Sequence, residues 1–339
     1  MSKKNLTNTE KRILSWLDRD SRISFRKIGK GIRKSEQNVS YTVNSLTNRG
    51  IIRNFYTMVD YSRFSILNFR VFFKINYITD KKFEEIEDYL SKEPHVMWLA
   101  SCGGRYDLIC TFGARNPSQF NKILKGIMAK FSRQIQNYDI LTTIVLRIME
   151  RDYLGSKKEK RDVMIVGGDR EPYELQEKDI TLISEIADIA RKSSVEISRK
   201  VGCNARTVLN RIKALEGMEV IRGFKTFIDF SETNYITKIL LLRYHNISVE
   251  DEERLIKYLC NDPNVMRVTK TMGRWDLEVR IETEDERDFR KTVRKIREEF
   301  SEMIQFSETI PIYNEFRNTF FPRFIIDEIR DKGGKIRQA

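Results

Sequence analysis

The sequence has few cysteines, histidines and prolines, and it contains no long hydrophobic run. Its four cysteines form no CxxC pair and no disulfide framework, which predicts free thiols in a reducing compartment. Six prolines and 16 glycines in 339 residues argue against a low-complexity chain. No apolar run approaches the roughly 18 residues of a membrane span, and the first residues lack the apolar core of a signal peptide. We therefore expect a soluble protein of the cytoplasm.

Histidine is scarcer still, because His95 and His245 are the only two in the sequence. No Ser/His/Asp set, zinc-ligand spacing or phosphate-binding glycine loop is present. The sequence therefore predicts a protein that is not an enzyme and that has no metal or cofactor.

Basic residues are abundant: 62 lysines and arginines against 49 acidic residues give a formal net charge of +13. This excess favours a polyanionic partner such as nucleic acid. The alternative is a well-solvated surface that happens to be basic, because charges of both signs are frequent.

The chain is an internal duplicate, in which residues match at a constant offset of 169 positions. Leu6 corresponds to Leu175 and Val39 to Val208, and the pattern Gly-Arg-aromatic-Asp-Leu occurs at 104–108 and again at 273–277. A period of this length indicates two copies of a domain-sized unit, because solenoid repeats recur every 20–50 residues or so.

Each copy begins with three short predicted helices. The third helix covers 36–48 in the first copy, with Ser35 as its N-cap, and 205–217 in the second, with Asn204 as its N-cap. The first helix of the second copy is predicted over 177–190, and residues 51–61 of the first copy alternate like the two strands of a wing. This order predicts a winged helix-turn-helix with its third helix in the major groove of DNA.

Polar residues on the outer face of the third helices are the candidate DNA contacts. The predicted base contacts are Gln37, Ser40, Tyr41, Asn44, Arg206, Asn210 and Lys213, and the residues predicted to hold phosphates or cap a helix are Asn38, Thr207 and Arg211. Residues 1–60 contain 13 basic and five acidic residues, a net charge of +8, whereas 175–230 contain ten and eight, a net charge of +2. A protein–protein module with a polar face is the alternative interpretation.

The remainder of each copy reads as strand–helix–strand–strand–helix–strand. Val71, Phe73 and Ile75 alternate with Arg70, Lys74 and Asn76. In the second copy Leu277, Val279 and Ile281 alternate with Glu278, Arg280 and Glu282. The pattern predicts an α+β protein: two copies of a winged helix-turn-helix followed by a ferredoxin-like βαββαβ domain.

This order, together with the Gly-x-[Tyr/Trp]-Asp-Leu turn at 104–108 and 273–277, resembles the Lrp/AsnC (leucine-responsive, feast/famine) transcriptional regulators over about 5–150 and 174–315. The resemblance implies a DNA-binding regulator whose sheet domains pair face to face and bind amino acids or related small effectors. Two departures are notable: Thr42 occupies the position of the family's mid-helix arginine, which Arg211 supplies in the second copy, and Glu219 replaces the glycine that follows the third helix. We expect the two copies to pair within one chain, a pseudo-dimer open to further homo-oligomerisation.

The resemblance also implies an effector pocket at the repeated turn. Its candidate residues are Gly104, Arg105, Asp107, Gly273, Arg274 and Asp276. The alternative is that both aspartates accept backbone N–H groups and fix the turn. Tyr106 and Trp275 are expected to pack between the sheets.

The predicted boundaries divide the chain into six segments. The winged helix-turn-helix units cover 5–61 and 174–230, the βαββαβ domains 62–149 and 231–315, the linker 150–173 and the C-terminal tail 316–339. Within the linker, residues 163–166 are predicted to add a short strand.

Two other functions remain open at this point. Siroheme decarboxylases share the two-part architecture, so a fused tetrapyrrole enzyme is the alternative, although that family uses histidine and arginine around its tetrapyrrole. A sensor or assembly protein that binds no nucleic acid is the other, and it predicts no salt-dependent affinity for DNA.

Overall fold

A computed structural model describes residues 5–76, 79–155, 161–245 and 247–328. The first copy consists of α1 (Asn8–Arg19), α2 (Phe25–Ile32), α3 (Glu36–Asn48), β1 (Ile52–Val59), β2 (Leu67–Ile75), α4 (Asp80–Lys92), β3 (Val96–Cys102), β4 (Leu108–Ala114), α5 (Pro117–Phe131) and β5 (Ile135–Met149). Strand β6 (Val163–Gly167) follows, as predicted. The second copy consists of α6 (Glu177–Ile186), α7 (Ser194–Val201), α8 (Ala205–Gly217), β7 (Ile221–Ile228), β8 (Ile236–Tyr244), α9 (Val249–Asn261), β9 (Val265–Gly273), β10 (Leu277–Thr283), α10 (Glu286–Glu299) and β11 (Ile304–Asn318).

The predicted α+β class and the order of elements are confirmed, and α3 and α8 have the predicted bounds. Helix α6 is shorter than predicted, because it ends at Ile186 and not near residue 190. The C-terminal tail is described as far as residue 328, so the end of the predicted 316–339 segment lies outside the described residues.

Left-handed backbone ends two helices in each copy, and glycine occupies only half of these positions. Arg33 (φ 60°) ends α2, where the second copy has Gly202 (φ 71°). Gly50 (φ 74°) follows α3, where the second copy has Glu219 (φ 57°). A side chain in this region costs about 1–2 kcal/mol, so the two copies keep the same turns even where the favoured residue is missing.

We expect Arg33→Gly to raise the free energy of unfolding by up to about 1 kcal/mol, because glycine adopts positive φ without strain but loses more entropy on folding. Glu219→Gly should gain less, because Glu219 pairs with Arg170 and Arg222. Urea unfolding of both variants measures the difference. A loss of stability in Arg33→Gly would contradict the assignment of strain to this position.

The predicted two-stranded wing within each copy is wrong. Each copy supplies a single strand, and β1 pairs antiparallel with β7 of the other copy, with Tyr56 opposite Lys225. Strands β1 and β7 form a two-stranded ribbon, which two threonine hydroxyls bond to helices. Thr57 donates to the carbonyl of Ile186 at 2.6 Å, and Thr226 donates to the carbonyl of Leu17 at 2.8 Å. The strand of each copy is therefore bonded to the first helix of the other copy.

The helix-turn-helix cores are completed in the same crossed manner. The core around Ile13 and Leu46 of the first copy includes Ile228 and Phe230 of the second. The core around Leu182, Ile212 and Leu215 of the second copy includes Met58 and Val59 of the first. Neither unit therefore buries its apolar surface without the other copy.

Eight of the remaining strands form a closed barrel, and β6 pairs with β5 beside the ring. Within the copies the strand orders are β5-β2-β4-β3 and β11-β8-β10-β9, which is the ferredoxin-like arrangement. Strand β3 pairs with β11 and β5 pairs with β9, so the two sheets join at both edges. The two copies therefore pair within one chain, as the sequence predicts.

Side chains alternate between the outside and the inside of this barrel. Outward residues such as Val71 and Val279 pack beneath the helices α4, α5, α9 and α10. Inward residues form an apolar cluster around Phe72, Tyr106 and Trp275 at one end. Towards the ribbon of β1 and β7 the interior is charged instead, with Arg70, Arg267, Arg280, Glu278 and Glu315.

The four cysteines are free thiols, as predicted. Burial raises the pKa of the Cys102 and Cys110 thiols, which keeps both groups protonated and unreactive. Among the described residues, no helix combines the length and the apolar character that crossing a bilayer requires.

Candidate nucleic-acid interface

Equivalent positions on α3 and α8 present three exposed polar side chains each. In the first copy these are Gln37, Tyr41 and Asn44, spaced four and then three residues apart. The second copy has Arg206, Asn210 and Lys213 at the same three positions. This spacing places each set along one face of its helix, and Tyr41 is 75% exposed. The two helices thus present the same face geometry with different chemistry.

Apolar residues and N-caps hold these helices in place. Val39, Val43 and Leu46 bury the opposite face of α3. The Ser35 hydroxyl accepts the backbone N–H of Asn38 at 3.1 Å. In α8, Asn204 Oδ1 accepts both the backbone N–H and the hydroxyl of Thr207, at 2.8 and 2.9 Å. Asn38 and Thr207 are thus exposed at the first turn of each helix.

Arg211 is bound within the protein. Its guanidinium forms a two-fold ion pair with the buried Asp179 of α6, with both N–O distances at 2.5 Å. At the equivalent position of the first copy, the Thr42 hydroxyl donates to the carbonyl of Asn38. Arg211 therefore braces α8 against α6 through its Nε and Nη2 atoms. Ser40, another predicted contact, is half-buried.

The positive charge lies differently in the two copies. Helix α3 carries no lysine or arginine, and its exposed cations lie on α2 and the following turn: Arg26, Lys27, Lys30, Arg33 and Lys34. Helix α8 carries its own exposed cations. In the first copy phosphate contacts would therefore come from beside the reading helix, and in the second from the helix itself.

The repeated turn has a structural role in both copies. The Asp107 carboxylate accepts the backbone N–H of Ile75 at 2.7 Å and pairs with Lys74 at 3.2 Å. The Asp276 carboxylate accepts the backbone N–H of Tyr244 at 3.1 Å. Burial raises the pKa of Asp276. Each aspartate thus ties its turn to the first strand of its own domain, as in the alternative interpretation given above.

The two turns also meet through Asp139 of β5, which the sequence analysis missed. Its carboxylate accepts the hydroxyl of Tyr106 and lies 3.4 Å from the guanidinium of Arg274. No motif marks Asp139, because only the closure of the barrel brings β5 to the second turn. Gly104, Arg105 and Gly273 are exposed there.

A groove of about 430 Å³ lies next to Asp107. Its polar lining consists of Lys74, Asn76, Asp80, Asp107 and Gln136. In the second copy, Lys270 of β9 donates hydrogen bonds to Glu252 and to Tyr244. Tyr244 is the last residue of β8, the strand equivalent to β2. The groove beside the first turn is thus lined by charges of both signs.

Comparisons with known proteins support the helix-turn-helix. Residues 6–53 match the family model described as winged helix-turn-helix DNA-binding. An HTH-type transcriptional regulator of Pyrococcus abyssi is 26% identical over 153 residues, which are 44% of this chain and 97% of the relative. One of Pyrococcus furiosus is 26% identical over 127 residues, 37% of this chain and 82% of the relative. The predicted resemblance to winged helix-turn-helix regulators is confirmed by these matches.

Among solved structures, the siroheme decarboxylase NirDL aligns over 93% of this chain and 94% of its own, with a TM-score of 0.59 and 13% identity. This similarity shows a shared fold along nearly the whole chain. An AsnC family transcriptional regulator from Agrobacterium tumefaciens aligns over 46% of this chain and 93% of its own, with a TM-score of 0.36 and 14% identity.

Proposed function

We propose that this chain, a tandem duplicate that begins with a winged helix-turn-helix DNA-binding unit, is a sequence-specific transcriptional regulator. The observation that carries the proposal is the pair of equivalent exposed triplets: Gln37, Tyr41, Asn44 and Arg206, Asn210, Lys213. Glutamine and asparagine can bond adenine in two places, and arginine and lysine can bond guanine. Both helices therefore present side chains suited to base recognition, and each helix is fixed by an N-cap and a buried apolar face.

The two halves are proposed to read different half-sites. A symmetric homodimer presents the same residues twice and favours a palindrome. Here the equivalent positions differ between the copies. The pairs are Gln37 and Arg206, Tyr41 and Asn210, and Asn44 and Lys213. The fusion also raises the effective concentration of the second half-site contact once the first has formed. We therefore expect a non-palindromic site.

The groove beside Asp107 is the proposed place for an amino acid or related metabolite. Asp80 offers a carboxylate for an α-amino group, and Lys74 offers an ammonium group for a carboxylate. The exposed Arg105 and Arg274 lie at the same repeated turns. In this proposal Asp107 lines the groove and positions Lys74 through their ion pair.

The test is selection of bound genomic fragments followed by affinity measurements with the isolated site. We expect Asn44→Ala and Arg206→Ala each to weaken binding about 10- to 100-fold, because a base contact contributes about 1–3 kcal/mol. Each variant should relax sequence preference in one half-site only. Lys125→Ala and Arg290→Ala, exposed on α5 and α10, are the matched controls and should bind as the unaltered chain does.

Salt dependence separates the possible outcomes of this test. Specific binding should weaken steeply with salt, with a slope of about −0.9 per phosphate contacted on a logarithmic plot. Binding that ignores sequence would leave a nonspecific DNA binder. Absence of binding at low salt would overturn the proposal and favour a sensor or assembly protein.

The tetrapyrrole alternative rests on the fold shared with NirDL, and the two histidines do not favour it. His95 Nδ1 lies 2.9 Å from the carbonyl of Gly113, and its ring stacks on Phe324 at 4.1 Å. His245 continues the backbone bonding of β8, where its N–H donates to Met303. Titration of the purified chain with siroheme distinguishes the two functions: a Soret shift that saturates at one equivalent would support the enzyme.

A further inference from the structure

A small cavity of about 60 Å³ lies where the β1–β7 ribbon covers the charged end of the barrel. Its lining comes from both copies. Tyr56 is on β1, Lys225 on β7, Arg267 on β9 and Asn318 on β11. A buried water needs about 10–15 Å³ of such volume, so the cavity has room for about four to six water-sized groups.

Most charges around this cavity are compensated by direct ion pairs. The pairs are Arg151 with Asp18 and Glu282, Arg280 with Glu282 and Glu315, and Arg70 with Glu278. Buried ion pairs of this kind persist when each charge has an opposite partner. Three guanidinium groups thus face four carboxylates before the last two cations are added.

In the described part of the chain, Arg267 and Lys225 are the two cations of this cavity without a carboxylate of their own. The nearest carboxylate to Arg267 is Glu278, with Nη2 and Oε1 3.6 Å apart, and Glu278 is already bonded to Arg70. Its Nε and Nη2 atoms are buried and have no hydrogen-bond partner among the described residues. Lys225 is only 6% exposed and lines the same cavity.

The balance of charge at this end of the barrel is one positive charge in excess. The cations are Arg70, Arg151, Arg267, Arg280 and Lys225, and the anions are Asp18, Glu278, Glu282 and Glu315. Burial, followed by repulsion from Arg70, lowers the pKa of the Arg267 guanidinium to about 10. A buried cation without a partner is costly unless an anion joins it.

We propose that this cavity is a binding site for one small oxyanion, a carboxylate or phosphate of up to about six non-hydrogen atoms, held by Lys225 and Arg267. One singly charged anion cancels the excess charge. Its oxygens accept hydrogen bonds from the unpartnered N–H groups of Arg267 and from the Lys225 ammonium. The size of the cavity and the single excess charge limit the class to ions such as dihydrogen phosphate, formate and acetate.

The location gives the site a structural consequence. Lys225 belongs to the ribbon that carries the helix-turn-helix units, whereas Arg267 belongs to the barrel. An anion bound by both side chains therefore fastens the ribbon to the barrel. This cavity is separate from the groove beside Asp107, because the two are lined by different residues.

The test uses the full chain with sodium phosphate, formate, acetate and citrate, each against chloride at equal ionic strength. Isothermal titration should show one anion per chain, and the melting temperature should rise by about 5 °C at 100 times the dissociation constant. Citrate should not bind because it exceeds the cavity. Comparison of the affinities for phosphate and for acetate shows whether the site prefers a phosphate or a carboxylate.

Two variants decide between this site and adventitious binding to the basic surface. Lys225→Met should weaken anion binding about 10- to 100-fold, because one charge-assisted hydrogen bond is lost, and should melt higher than the unaltered chain in chloride alone. Arg267→Gln should also weaken binding. Lys257→Met, on the exposed face of α9, is the control and should bind normally. Equal affinity in all three variants, stronger binding of citrate, or no saturable binding would overturn the proposal.

Discussion

Glu282→Gln is expected to destabilise the chain by about 3–5 kcal/mol, the cost of breaking a buried ion pair by removing one partner. The Glu282 carboxylate is fully buried. It accepts hydrogen bonds from Arg151 at 2.7 Å, from Tyr153 at 2.7 Å and from Arg280 at 3.0 Å. A neutral amide keeps the shape but leaves Arg151 and Arg280 undercompensated. Urea unfolding at neutral pH measures the loss.

The matched control is Glu286→Gln, whose carboxylate pairs with Lys238 and is 54% exposed. Exposed pairs contribute about 0–1 kcal/mol, so this variant should unfold almost as the unaltered chain does. A Glu282→Gln loss no larger than that of the control would show that the buried network contributes nothing to stability.

The effect of Glu282→Gln should also depend on pH. Burial alone raises the pKa of Glu282, but Arg151 and Arg280 outweigh it and lower that pKa to about 2. An unfolded glutamate titrates at about 4.3. The stabilisation is therefore present above about pH 4.3 and disappears as pH falls towards 2. The stability difference between the two chains should shrink over this range, and a difference independent of pH would contradict the ion pairs as its cause.

Trp275→Ala should cost about 3–5 kcal/mol, because it removes a large side chain from the interior of the barrel where the two copies meet. Trp275 is 6% exposed and packs in one cluster with Phe72, Tyr106 and Ile310. Its indole N–H is buried without a partner among the described residues. Trp275→Phe should consequently cost far less than Trp275→Ala, because it removes an unsatisfied donor along with some apolar area.

Thermal and urea unfolding of both Trp275 variants provide the measurement. Met272→Ala is the control, since Met272 lies near the end of β9, three residues before Trp275 in the chain, but is 63% exposed. A Trp275→Ala loss comparable to that of Met272→Ala would mean that the closed barrel does not contribute the packing described above.

Local patterns predicted the elements well where each helix or strand follows from its own residues. Ser35 and Asn204 mark the starts of α3 and α8, and apolar residues at helical spacing mark their buried faces. Alternation of Leu277, Val279 and Ile281 with Glu278, Arg280 and Glu282 predicted a strand. The sequence did not reveal that the charged face of that strand points into a closed barrel.

The wings were mispredicted as two-stranded because their pairing, like the closure of the barrel, joins residues far apart in the chain. Residues 51–61 have the alternation of strands, but hydrogen-bond partners in a sheet are not encoded by alternation. The true partner of β1 lies in the other copy. In the second copy, the packing of α6 against α8 brings the Arg211 guanidinium to Asp179, a contact that the sequence does not predict.

The sequence by itself determined the duplication, the helix-turn-helix units, the βαββαβ order and the exposed residues of the third helices, because periodicity and capping act over a few residues. Tertiary structure alone decided the crossed ribbon, the closure of the barrel, the contact of both repeated turns with Asp139, and the excess charge around Arg267 and Lys225. These features depend on the pairing of residues far apart in the chain, and such pairing leaves no local pattern to read.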